Sequence, residues 1–143
     1  MSDKPAWMSV AEKEVGVEES NQRILDYFKD TTDDEATVRT AYCSAFVNFC
    51  FEKAGIKGTM SAAAVSWRQW GQELKTGQLG AVVLLRWRSG HYHVTFYLEE
   101  AIRDGVAKIH VLGGNQTTAH EVIDEWVPKA NVVTYRWPPN VPV

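Results

Sequence analysis

The most informative segment of the sequence runs from Tyr42 to Cys50 and reads YCSAFVNFC. Its tyrosine, its two phenylalanines and its last cysteine follow the i, i+4, i+7, i+8 spacing of one buried helix face. Ala54-Gly55 then supplies a C-cap signal, so the sequence predicts a helix over Ala41–Ala54. Cys43 falls in the first turn of that helix, where free N–H groups and the helix dipole favour a thiolate.

The pattern on either side of this helix changes from helical to extended along the chain. Helical segments are expected over Ser9–Phe28, with a break at Gly16, and over Ser61–Trp70. After Gly71, short β-branched and aromatic runs separated by Gly and Asp-Gly turns predict an antiparallel meander. The expected strands are Ala81–Trp87, Tyr92–Leu98, Val106–Leu112, Val122–Val127 and Val132–Tyr135. This order predicts an α+β fold in which N-terminal helices pack on an antiparallel β-sheet.

Composition limits the class of protein. The 143 residues, 45% hydrophobic and 23% charged, are typical of one globular domain, which we assign to 1–143. A net charge of −3 without a basic run argues against a nucleic-acid partner. The longest apolar stretch, Leu79–Leu85, is too short for membrane insertion. Charged residues rather than an apolar segment follow MSDKPAW, so we expect synthesis in the cytoplasm without a signal peptide.

The two cysteines are predicted to be free thiols. Cys43 and Cys50 are seven residues apart, which corresponds to roughly 10.5 Å along a helix. That separation exceeds the roughly 7 Å between Cα atoms that a disulfide spans. Their spacing relative to His91 and His93 matches no usual zinc site, so no metal and no cofactor are expected. Cys50, mid-helix on the apolar face, is interpreted as a packing residue.

A nucleophilic cysteine requires a base and a group that orients the base. His91 and His93 open a predicted strand, and their spacing of two places them on one face of it. Asn115 and Gln116 follow the next strand, and either amide could hold an imidazole through its second nitrogen. The alternative interpretation is a buried cysteine of no chemical role and a plain Gly-Gly-Asn turn.

Three segments in order resemble one branch of a known enzyme family. YCSAFVNFC is similar to the WCSAFVNWC segment of the bacterial and phage branch of the NlpC/P60 and CHAP-like cysteine peptidases. The HVTFY run from His93 and the GGNQ run ending at Gln116 continue that pattern. The resemblance extends from about Trp7 to Pro138, and it implies a papain-like NlpC/P60 fold.

The resemblance also implies roles for individual residues. By position, Cys43 is the nucleophile, His93 the base and Asn115 the third catalytic residue. His93 is preferred to His91 because the following Val-x-Phe-Tyr run matches only in that register. Expected substrate contacts are Tyr42, Ser44, Trp67 and His91. Tyr42 stands where the family usually has Trp, and Thr95 and Tyr92 where it often has Gly, so substrate preference does not carry over.

The activity that the resemblance implies is that of a peptidoglycan amidase, an endopeptidase that cleaves an amide bond in cell-wall stem peptides. The expected setting is an antibacterial type VI secretion effector with a cognate immunity protein, acting in the periplasm or cell wall of the target bacterium after export. A phage endolysin with the same chemistry is the alternative. A non-catalytic cell-wall-binding module and an acyl-transferring or deamidating effector are two further classes that the residues leave open.

Overall fold

Helices form the N-terminal part of the chain and a sheet forms the rest, in a computed structural model that describes residues 4–18, 21–31, 42–87, 90–116 and 120–143. Within these residues the α-helices are α1 (Ala6–Lys13), α2 (Arg23–Tyr27) and α3 (Cys43–Lys53). Short 3₁₀ helices cover Phe28–Asp30, Ala64–Gln69 and Lys129–Asn131. The strands are β1 (Gln72–Leu74), β2 (Val82–Arg86), β3 (Tyr92–Arg103), β4 (Val106–Gly113), β5 (Ile123–Pro128) and β6 (Val132–Trp137).

The six strands of the described chain form one antiparallel sheet in the order β1-β6-β2-β3-β4-β5. Strand β2 lies near its centre, and four successive residues, Val82 to Leu85, are fully buried on both faces. A continuous apolar run of this kind is typical of a strand that is covered on both sides. The α+β class predicted from the sequence is therefore confirmed. None of the described helices is long and apolar enough to cross a membrane.

The place where β3 and β4 separate positions the site. In the described residues, the β3–β4 pairing ends at Phe96 opposite Leu112, whereas β3 continues against β2 as far as Tyr92 opposite Arg86. From Tyr92 to Thr95, one edge of β3 therefore has no strand partner among the described residues, and another element can approach it. The first residue of α3, Cys43, meets the backbone of β3 at this opening.

Helix α3 is the central helix of the described fold. Every residue from Cys43 to Phe51 is buried, as its apolar sequence predicts. The Phe51 ring lies 5.2 Å from Trp7 on α1, 5.7 Å from Phe96 on β3 and 5.8 Å from Trp67. These contacts tie α3 to α1, to the 3₁₀ helix Ala64–Gln69 and to the sheet.

Most of the predicted elements are confirmed. Helix α3 occupies the described part of Ala41–Ala54, and β2 to β6 match the five predicted strands within a few residues. The two helical segments predicted over Ser9–Phe28, on either side of a break at Gly16, are present but differ in their bounds, because the first is Ala6–Lys13 and the second covers only Arg23–Tyr27. Strand β1 was not predicted, since three residues at a sheet edge give no periodic signal.

The helix predicted over Ser61–Trp70 is wrong, because only the 3₁₀ helix Ala64–Gln69 forms there. Buried side chains on α3 explain the difference. Asn48 accepts a hydrogen bond from the N–H of Met60 (3.0 Å) and donates to the carbonyl of Ser61 (3.1 Å). The Ser61 carbonyl also accepts from the Ser44 hydroxyl (2.7 Å), so side chains of α3 use both of its lone pairs and it cannot accept the first hydrogen bond of an α-helix.

Candidate active site

Cys43 lies at the N-terminus of α3, with Tyr42 as the N-cap residue in a non-helical conformation. The N-cap residue itself makes no side-chain hydrogen bond to the first-turn N–H groups. Backbone N–H groups of Ser44 and Val94 donate to the Cys43 sulfur. Val94 lies in the part of β3 that does not pair with β4. The thiol therefore faces the positive ends of N–H dipoles from both the helix and the strand.

His93, the second residue of β3, contacts the Cys43 thiol through its imidazole. The residue is only 4% exposed, so both ring nitrogens depend on partners inside the protein. Its Nε2 atom lies 2.6 Å from Oε1 of Gln116. His93 therefore joins the first turn of α3 to the segment that follows β4.

The orientation of the Gln116 amide fixes the tautomer of His93. Its Nε2 donates to the carbonyl of Val111 at 3.3 Å, which turns Oε1 towards the imidazole. A carbonyl oxygen only accepts hydrogen bonds, so the Nε2 atom of His93 carries a proton. Nδ1 is then the ring nitrogen left for Cys43, and in the neutral ring it can accept the thiol proton.

Electrostatics favour an ion pair between the thiol and the imidazole. Burial raises the pKa of the Cys43 thiol, but the hydrogen bond and the charge of His93, with the N–H groups of Val94 and Ser44, lower it below its ordinary value. Burial lowers the pKa of His93, but contact with Cys43 and the amide of Gln116 raise it overall. Cys43 as thiolate and His93 as imidazolium therefore stabilise each other.

The second cysteine behaves in the opposite way. Burial and the nearby carboxylate of Glu14 raise the pKa of Cys50 well above its ordinary value. We expect iodoacetamide at about pH 6, where a normal thiol is almost wholly protonated, to add once to the native protein, at Cys43. Peptide mass spectrometry measures this. The Cys43→Ala variant is the control, and label on Cys50 in the folded protein would contradict the prediction.

The third residue predicted for the triad is corrected by the structure. Gln116, not Asn115, brings its amide to His93. Asn115 has a φ of 52° and is partly exposed, because it completes the turn after Gly113-Gly114. Asn is the residue other than glycine that best tolerates this left-handed conformation, which is a signal in the sequence for a turn role.

The two amides provide a matched comparison. Gln116→Leu removes a hydrogen bond of about 1.5–3 kcal/mol to a charged partner, so we expect a roughly 10- to 100-fold loss of any activity that depends on Cys43. Asn115→Gly removes the other amide, keeps the left-handed conformation accessible and leaves the His93 contact in place, so it should cost less than about 3-fold. Rates of Cys43 alkylation against pH provide a measurement without substrate. An equal loss in both variants would contradict this assignment.

Three of the four predicted substrate contacts have buried side chains, and their role stays a prediction. Tyr42, Ser44 and Trp67 are each 0% exposed. The hydroxyl of Tyr42 donates to the carbonyl of His120 (2.7 Å), and that of Ser44 donates to the carbonyl of Ser61 (2.7 Å). These side chains build the wall behind the site rather than its surface. His91, by contrast, is exposed at the start of β3, and its role remains a prediction.

A polar network lies in the first turns of α3 next to Cys43, and sequence reasoning missed it. The indole Nε1 of Trp67 donates to the Ser44 hydroxyl at 2.8 Å. Asn48 is fully buried and donates to the carbonyl of Ser44 (3.2 Å) and to that of Ser61 (3.1 Å). The network clamps the segment around Ser61 against the first turn of α3. An Asn inside an otherwise apolar helix was the available signal, since buried amides need partners.

The described residues hold no group of three or more His, Cys, Asp or Glu side chains arranged for a metal ion. The arrangement of Cys43, His93 and Gln116 is that of an activated nucleophile, a base and an orienting group. Neither a family model nor a curated protein sequence matches the chain.

Proposed function

We propose that this protein is a cysteine-dependent amide hydrolase with Cys43 as nucleophile, His93 as acid and base, and Gln116 as the residue that orients His93. The observation that carries the proposal is the buried imidazole that contacts the thiol on one side and the Gln116 carbonyl, at 2.6 Å, on the other. A cysteine and histidine paired at a helix N-terminus are suited to acyl transfer rather than to packing.

The chemistry follows from these positions. The Cys43 thiolate attacks the carbonyl carbon, a C–S bond forms, and the carbonyl electrons move to oxygen. Free N–H groups in the first turn of α3 stabilise that oxyanion, which is worth about 3–4 kcal/mol per donor in enzymes. Protonated His93 gives its proton to the leaving amine as the C–N bond breaks. Water then attacks the thioester, gives its proton to His93 and releases Cys43 as thiolate.

The substrate class we propose is the stem peptide of peptidoglycan, within a papain-like NlpC/P60 fold. The support is the resemblance of three ordered segments, together with the meeting of their Cys43, His93 and Gln116 in space. The biological setting that we propose is an antibacterial amidase delivered by type VI secretion, which acts on the target cell wall and is blocked by a cognate immunity protein. This setting rests on the resemblance alone.

Digestion of purified Gram-negative sacculi tests the proposal. Native protein and Cys43→Ala are incubated with sacculi under reducing conditions, and released fragments are identified by mass spectrometry. Cys50→Ala is the matched control, since it removes the other thiol of the same helix. We expect fragments from native protein and Cys50→Ala alone, with masses that name the bond. Release of fragments by Cys43→Ala would show that Cys43 is not the nucleophile. Absence of fragments with every protein would overturn the proposal that peptidoglycan is the substrate.

A further inference from the structure

A buried carboxylate close to the site has no part in the mechanism above. Glu125 on β5 is only 8% exposed, whereas the side chain of its neighbour Asp124 is 53% exposed. Burying a carboxylate costs free energy unless nearby groups stabilise its charge. A buried acid beside a catalytic pair is therefore a candidate functional group.

The sheet register brings Glu125 to the residue that anchors Gln116. Glu125 lies directly opposite Val111 on β4, and Val111 lies opposite Tyr97 on β3, so the three side chains share one face. His93 is four residues before Tyr97 on β3 and points to that same face. The Gln116 amide connects Val111 to His93, since it donates to the Val111 carbonyl and accepts from His93.

We propose that Glu125 is a positioning residue of the site, whose negative charge stabilises the protonated imidazole of His93 across the neutral Gln116 amide. The inference rests on the proposed function, because a protonated His93 is what the leaving amine requires. An amide orients an imidazole but adds no charge to it. In a Ser-His-Asp triad, one buried carboxylate both orients the histidine and stabilises its positive charge. Here Gln116 orients His93, and Glu125 stabilises the charge.

The charges around His93 agree with this assignment. In the described part of the chain, three groups raise the pKa of His93: Cys43 on α3, the amide of Gln116 after β4, and Glu125 on β5. The negative charge of Glu125 raises the pKa of His93, in the same direction as the Cys43 thiolate. On the β2 side its partner is the apolar Leu85, fully buried.

Histidine ring signals in NMR provide the test, in the Cys43→Ala protein so that thiol titration does not interfere. His93→Gln identifies the His93 signal by its loss. Glu125→Gln removes one charge, so we expect the His93 pKa to fall by about 0.5 pH units or more. Asp124→Asn removes the same charge on the other face of β5. It should shift the pKa of His93 by less than about 0.2 units, and it should move the signal of His110, its hydrogen-bond partner.

Glu125→Asp is a second variant that keeps the charge but withdraws it by one methylene. We expect the pKa of His93 to fall by less than it does in Glu125→Gln. An unchanged His93 pKa in either folded Glu125 variant, or an equally large change of that pKa in Asp124→Asn, would overturn the inference. An unchanged circular dichroism spectrum shows that each variant is folded. The titration needs no substrate, so its failure is distinguishable from failure of the sacculus digestion.

Discussion

His93→Ala is expected to reduce the release of peptidoglycan fragments about 1,000-fold or more, which is within the range that a general acid–base contributes in enzymes. The variant removes the group that ionises Cys43 and the proton that the leaving amine needs. It also leaves the buried carbonyl of Gln116 without its imidazole partner, at a cost of about 1–3 kcal/mol in stability. Initial rates on sacculi measure the effect, and thermal unfolding shows whether the variant is folded.

His91→Ala is the matched control, since it removes the same kind of side chain two residues earlier, just before β3 begins. His91 is exposed, so its loss should leave folding and the ionisation of Cys43 intact. We expect at most about a 10-fold loss of rate, the effect of one lost substrate contact of about 1.4 kcal/mol, against about 1,000-fold in His93→Ala. A large loss in His91→Ala together with a small one in His93→Ala would reverse the assignment of the base.

The sequence predicted the parts of this fold that have strong periodicity. The spacing of Tyr42, Phe46, Phe49 and Cys50 predicted α3, because a buried helix face needs an aromatic or aliphatic side chain at every turn. The same reasoning put Cys43 at a helix N-terminus and His93 at the start of a strand. Both predictions depend on local patterns alone, and both are confirmed as positions in the structure.

Tertiary contacts decided what the sequence could not predict. Asn48 holds Met60 and Ser61 in a loop, so the helical pattern of the following segment is overridden. Asn115 and Gln116 are adjacent amides, and a single residue of turn geometry determines which of them reaches His93. No spacing rule contains that information, because it depends on where β4 ends relative to β3.

Trp67→Ala is expected to produce the largest loss of stability among the substitutions considered, about 3–5 kcal/mol of the 5–15 kcal/mol typical of a small domain. The indole is fully buried, packs 5.8 Å from Phe51 and 4.8 Å from Trp70, and donates to Ser44. Its removal leaves a cavity under α3 and takes one partner from the Ser44 hydroxyl. Urea unfolding followed by circular dichroism measures the loss.

Two further variants separate packing from hydrogen bonding at this site. Trp67→Phe keeps most of the ring volume but loses the 2.8 Å bond to Ser44, so we expect a loss of about 1–3 kcal/mol, between native protein and Trp67→Ala. Trp126→Ala is the control, because this half-buried indole stacks on His110 outside the network and should lose less than about 2 kcal/mol. Because Ser44 follows the nucleophile directly, Trp67→Phe should also slow Cys43 alkylation in the folded protein. An unchanged alkylation rate would mean that the network supports the helix without tuning the thiol.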